Sequence, residues 1–151
     1  LKRVIEIVRR YKPKMVLAPY KEDRHPDHGY AGVLVREACH LAGLKNYPAE
    51  GKPYRPPQLF YYFLGKTQVP ALVVDISSQI DKKWQAIACH KSQFSLPGNG
   101  KVETRVNSPL FVRYIRGRDQ FFGALIGAEF GEGLLLEEKI RVNNLMDLGG
   151  N

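Results

Sequence analysis

Met15-Val16-Leu17-Ala18 is an unbroken apolar run of strand length between two segments patterned for helix, and this arrangement limits the fold more than any other feature. Upstream, Leu1, Val4, Ile5 and Val8 recur at helical spacing, with Lys2, Arg3, Glu6, Arg9 and Arg10 on the other side, until Lys12-Pro13 breaks the pattern. Downstream, Pro26 suits the first turn of a helix, where its missing N–H costs nothing. That helix is expected to run to about Ala42, burying Ala31, Leu34, Val35, Ala38 and Leu41, with Gly43 as its stop. An apolar strand without polar alternation reads as buried on both faces, so the unit belongs to a layered α/β fold.

The rest of the chain continues in the same manner. Leu59 to Leu64 reads as an aromatic-rich strand and Ala71 to Ile76 as another, followed by a helix capped by Ser77 or Ser78 with Ile80, Trp84 and Ile87 on one face. A helix is expected from about Leu110 to Ile126, then a Gly-rich, partly apolar tail. Two irregular connections separate these elements. One spans residues 44–57, with Pro48, Pro53, Pro56 and Pro57, and the other residues 95–109, with Pro97, Gly98 and Gly100. The 151 residues, 44% hydrophobic and 25% charged, are read as one soluble domain over 1–151. The chain opens inside an amphipathic helix that has no cap before it, which reads as a fragment or a product missing an N-terminal part.

Composition excludes some partners. No apolar run approaches the roughly 20 residues that span a bilayer, and no secretory pattern is present. Two cysteines, Cys39 and Cys89, make no disulfide framework in a chain of this size, which points to a reducing cytoplasm. The net charge of +8 fits an anionic partner. The basic residues are dispersed, however, without a Lys/Arg run interleaved with aromatics, so nucleic acid is not expected as a partner.

Chemistry concentrates in Asp23-Arg24-His25-Pro26-Asp27-His28, two imidazoles and two carboxylates within six residues. Neutral imidazole is the commonest protein ligand for zinc, and a carboxylate is its usual hydrogen-bond partner. The segment follows a strand and opens a helix, the place where open α/β sheets gather their chemistry. The competing reading is structural: Asp27 caps the helix and both histidines are exposed. Cys39-His40 and Cys89-His90 look like ligand pairs, but adjacent helical residues diverge by about 100° and cannot easily share a metal. Phe60-Tyr61-Tyr62-Phe63 reads as strand core in preference to a base-stacking platform.

Ala18-Pro19 and Glu22-Asp23-Arg24-His25-Pro26-Asp27-His28 resemble the second signature of the LmbE-like, or PIG-L-type, zinc deacetylases. Val74-Asp75-Ile76-Ser77, Ser92-Gln93-Phe94, Phe122-Gly123 and Phe130-Gly131-Glu132-Gly133 match in order. The nearest group is the bacillithiol-biosynthesis enzymes acting on N-acetylglucosaminyl-malate. The resemblance implies a Rossmann-like, mostly parallel sheet with helices on both faces. It also implies zinc as cofactor, an N-acetylglucosamine conjugate as small-molecule substrate, and oligomers of identical subunits. It makes His28 a metal ligand, His25 the cationic histidine at the oxyanion and leaving amine, and Asp27 the carboxylate that orients it. The family's other two ligands and its general base come from a His-Pro-Asp-Asp motif with no counterpart in these residues, so the chain by itself is expected to hold zinc weakly and not to deacetylate. Phe111 stands near where related enzymes often carry a Tyr, with Tyr114 about one turn away. The alternative is a non-catalytic α/β module, either a degenerate homologue or a subunit completed by another chain.

Overall fold

The computed structural model describes residues 1–94 and 104–148, so the loop expected over 95–109 lies mostly outside the described residues. The chain runs α1 (Lys2–Tyr11), β1 (Met15–Pro19), α2 (Pro26–Ala42), β2 (Gln58–Tyr62), β3 (Leu72–Asp75), α3 (Ile80–Ala88), α4 (Lys91–Phe94), α5 (Pro109–Leu125) and β4 (Gly131–Leu136). The strands form one sheet in the order β1-β2-β4-β3. The α/β class read from the sequence is the class observed. The sheet is mixed, because β1 and β2 pair in parallel while β3 and β4 pair antiparallel. Two compact units result, Leu1–Gln68 with Leu135–Asn151, and Val69–Leu134. No helix among the described residues is long and apolar enough to cross a membrane.

In the first unit, α1 and α2 bury Ile5 and Val8 against Ala38, Cys39 and Ala42, with Val16, Val35, Tyr47 and Tyr54 around them. Burying side chains such as Ile5 and Val8 contributes about 1.5–3 kcal/mol each. Cys39 is a small core residue here, and burial pushes its thiol pKa up. The break after α1 is made by Lys12, which takes a left-handed conformation (φ 46°) so that its N–H returns to the Val8 carbonyl.

Three expectations for this unit need correction. The buried stripe of α2 runs along Val35, Ala38, Cys39 and Ala42, which leaves Leu34 exposed. The β1 strand is not buried on both faces. It stands at the end of the strand order, and Met15 and Leu17 are 49% and 54% exposed. Arg9 does not face solvent. It is 3% exposed and its guanidinium donates to the carbonyls of Ala42 (3.1 Å), Leu44 (2.8 Å) and Ala49 (2.5 Å), with longer contacts to Tyr47 and Gly51.

The Arg9 planar fork of N–H donors therefore closes the end of α2 and organises the proline-rich connection after it. Lysine offers no such fork. Arg9→Lys should cost about 2 kcal/mol, read as a lowered urea midpoint with unchanged slope.

In the second unit, β3 and β4 are in register from Leu72↔Leu134 to Asp75↔Gly131. The β4 strand lies where the sequence reads as a Gly-rich tail. Glycine is a poor strand former, but Gly133 lies against the Phe122 ring, where an added Cβ would come within 2.7 Å. Neither Ser77 nor Ser78 caps α3 through its side chain. Ser77 starts a short 3₁₀ turn. Its Oγ donates to Asp75 Oδ1 (2.6 Å) and accepts from the Phe130 N–H (3.1 Å), tying the end of β3 to the start of β4. The α5 helix is capped as its sequence allows, with the Ser108 hydroxyl accepting from the Leu110 N–H and Pro109 in the first turn. Inside the unit Lys83 Nζ lies 2.8 Å from Asp119 Oδ2 and 3.3 Å from Glu132 Oε1, and Asp119 is only 1% exposed.

Candidate functional site

The loop after β1 turns back into α2 within six residues. The turn is tight because α2 sits almost on the end of β1: an added Cβ at Gly32 would come within 2.3 Å of the Pro19 carbonyl. His25 is the N-cap residue of α2, with Pro26 in the first turn. The helix therefore presents its positive N-terminal end beside the two imidazoles. Their ring centroids are 5.0 Å apart and inclined by 31°.

Asp23 organises this segment. Its side chain is 4% exposed. Oδ1 accepts from the His25 N–H (2.9 Å) and faces His28 Nδ1 at 3.0 Å. Oδ2 accepts from the N–H groups of Gly65 (2.6 Å) and Lys66 (3.2 Å). Burial acts to raise the Asp23 pKa, but the hydrogen bonds from His25, Gly65, His28 and Lys66 outweigh it and hold the value down to about 2. A depressed carboxylate stabilises the fold above its unfolded pKa of about 4, and this contribution fades as pH falls toward 2. We expect Asp23→Asn to be less stable than the parent by about 2 kcal/mol near neutral pH in metal-free protein. The gap should close between about pH 4 and pH 2, measured by urea denaturation at a series of pH values.

An ionised carboxylate only accepts. The neutral His28 ring therefore carries its proton on Nδ1, leaving Nε2 as a bare lone pair. His25 is held in the opposite sense. Its Nδ1 accepts from the Asp27 backbone N–H at 3.2 Å, so the neutral ring carries its proton on Nε2. The structure thus brings together two imidazoles with complementary outer atoms, one a lone pair and one an N–H donor.

Asp27 contacts His25 mainly through its backbone. Its exposed carboxylate lies 3.8 Å from His25 Nδ1, beyond hydrogen-bond distance but close enough to offset charge on a protonated ring. Helix capping is thus performed by the His25 ring and not by the Asp27 side chain.

Sequence reasoning assigned no role to Asp23. The available signal is a carboxylate two residues before the N-cap of a helix, which folds back on the chain as an Asx-turn. The Gly65 and Lys66 donors, some 40 residues downstream, carry no local signal. His28 Nε2 fits a metal by its donor chemistry. Among the described residues no three His, Cys, Asp or Glu side chains converge as a metal-holding group. A cavity of about 350 Å³ in the same unit is lined by Arg36, His40, Arg55, Tyr61 and Glu137 and contains none of the four site residues; the candidate site is assigned on its chemistry. Cys89 and His90 lie exposed in the second unit, which also holds the half-buried Tyr114, whose ring stacks on Phe111 at 6.1 Å.

No family model matches the chain. Individual proteins do. The chain is similar to diacetylchitobiose deacetylases. That of Thermococcus kodakarensis is 28% identical over 141 residues, which are 88% of this chain and 48% of the relative. The solved N,N′-diacetylchitobiose deacetylase of Pyrococcus horikoshii is 28% identical, with a TM-score of 0.68, over 88% of this chain and 49% of its own. A conserved protein of Thermus thermophilus reaches 30% identity and a TM-score of 0.79 over 93% of this chain and 59% of its own. At 23% identity and a TM-score of 0.70, the 4-carboxy-2-hydroxymuconate hydratase of Pseudomonas putida shares the fold alone. The chain spans about half the length of the curated relative it matches.

Proposed function

We propose that this chain carries an active-site segment of a zinc-dependent hydrolase that removes the acetyl group from an N-acetylglucosamine conjugate. The observation that carries the reading is the pair of hydrogen bonds at the two imidazoles, Asp23 Oδ1 on His28 Nδ1 and the Asp27 N–H on His25 Nδ1, from which the lone pair on His28 Nε2 and the N–H on His25 Nε2 follow. The names of the relatives support N-acetyl hydrolysis of a glucosamine-type substrate. Zinc and the malate conjugate rest on the resemblance of the Asp23 to His28 segment to the bacillithiol-type deacetylases.

In this reading His28 is a ligand through Nε2. The chemistry that zinc supplies when bound is polarisation of the amide carbonyl and acidification of a water. His25 donates its Nε2–H toward the carbonyl oxygen as that atom gains negative charge, beside the positive end of α2. When the ring also takes a proton on Nδ1 it gives up the Asp27 N–H contact and turns the new N–H toward the Asp27 carboxylate, which lies 3.8 Å from Nδ1; that imidazolium hands its Nε2 proton to the departing amine. The surplus of Lys and Arg suits an aglycone bearing carboxylates. An assembly of identical subunits in a reducing cytoplasm completes the reading, supported by the family resemblance and by two unpaired cysteines.

The substrate is tested by amine release from N-acetylglucosaminyl-malate and from N,N′-diacetylchitobiose, side by side with zinc supplied, by a protein that carries this segment together with the other two ligands and the general base. Preference for the malate conjugate supports the reading. Release from chitobiose alone moves the substrate to chitin oligomers, and release from neither contradicts it.

A further inference from the structure

We propose that Asp23 is the positioning residue of the metal-binding imidazole and that it couples His28 to the segment beginning at Gly65. This rests on the reading of His28 as a metal ligand. The two oxygens of one buried carboxylate face two different elements. Oδ1 takes the His28 ring and the His25 N–H, and Oδ2 takes the N–H groups of Gly65 and Lys66. A second tie, Gln68 Nε2 to Glu22 Oε2 at 2.9 Å, joins the same two stretches of chain. The seat of residues 65–68 therefore sets the carboxylate, the carboxylate sets the His28 tautomer, and the tautomer leaves Nε2 as the donor atom.

Two substitutions separate the parts of this chain of contacts. Asparagine has one acceptor oxygen where aspartate has two, so Asp23→Asn turns an NH₂ toward either His28 or the Gly65–Lys66 N–H groups. Gly65→Ala changes no polar atom. Its Cβ would come within 2.9 Å of Asp23 Oδ1 and 3.3 Å of Oδ2, so the carboxylate must shift.

The experiment uses the full chain with ¹⁵N-labelled histidine, observed at about pH 8, where unperturbed imidazole is neutral. Zn²⁺ is the titrant, and the overall amide spectrum reports folding. In metal-free parent protein His28 should be protonated on Nδ1 and bare on Nε2, while His25 shows the reverse. Asp23→Asn and Gly65→Ala should each admit the other tautomer at His28 and weaken the zinc response there by about 10- to 100-fold.

A parent protein with His28 protonated on Nε2 overturns the proposal, whether or not either variant folds. So do variants whose His28 tautomer and zinc response equal those of the parent. The Nδ1–H tautomer with a His28 Nε2 resonance untouched even by zinc at concentrations that shift free imidazole would instead overturn the metal reading and leave the hydrogen-bond assignment standing. The two failures are thereby distinguished.

Discussion

In an enzyme that carries this segment together with the other two ligands and the general base, replacing His25 by alanine is expected to lower turnover by about 100- to 1,000-fold, the usual consequence of removing a donor to a developing oxyanion, and to leave metal content unchanged. His28→Ala should empty the metal site. The difference follows from the two ring nitrogens. His28 Nδ1 is committed to Asp23 and its Nε2 is free to ligate, whereas His25 Nδ1 is committed to the Asp27 N–H and its Nε2 carries the proton. Asp27→Asn keeps the backbone contact and removes only the charge 3.8 Å away, so its loss should be smaller than that of His25→Ala. Zinc content measured beside amine release in the three variants checks this. Loss of metal from His25→Ala with retention in His28→Ala would reverse the two roles.

The second large effect concerns stability. Lys83→Met leaves the Asp119 carboxylate, 1% exposed, without the ammonium that lies 2.8 Å away. Breaking a buried pair from one side costs about 3–5 kcal/mol, because a charge is left in a poor solvent. Arg118 Nε, 3.7 Å from the other Asp119 oxygen, should keep the loss near the lower end, about 3 kcal/mol. Removing both charges in Lys83→Met/Asp119→Leu should recover most of it. Urea denaturation of the two single variants and the double variant provides the test. A double variant as unstable as Lys83→Met would show that the pair stabilises by packing and not by charge.

Elements with strong local patterns were legible in the sequence. The spacing of Leu1, Val4, Ile5 and Val8 and the Pro26 start of α2 needed only helix periodicity and proline geometry. So did the placing of His25 and His28 at the start of the helix that follows β1. What escaped depends on partners distant in the chain. Arg9 looks like a surface residue until the carbonyls of residues 42–51 are brought around it. The β4 strand is spelled Gly-Glu-Gly because Phe122 fills the space a side chain would take. Asp23 is also held from outside its own loop, by Gly65 and Lys66, which no local pattern announces. The exposure of Met15 and Leu17 reflects the place of β1 at the end of the strand order, which an apolar run cannot report.

In the proposed reaction His28 holds a metal on which hydrolysis of an N-acetyl group depends. This is tested by amine release from an N-acetylglucosamine conjugate by a protein that carries this segment with the other two ligands and the general base, loaded with zinc, then stripped with chelator, then reloaded, with metal content followed at each stage. Release is expected to fall with the metal, to return with it, and to be absent at every stage from His28→Ala. Release that persists after the metal is gone, or that survives in His28→Ala, would contradict it.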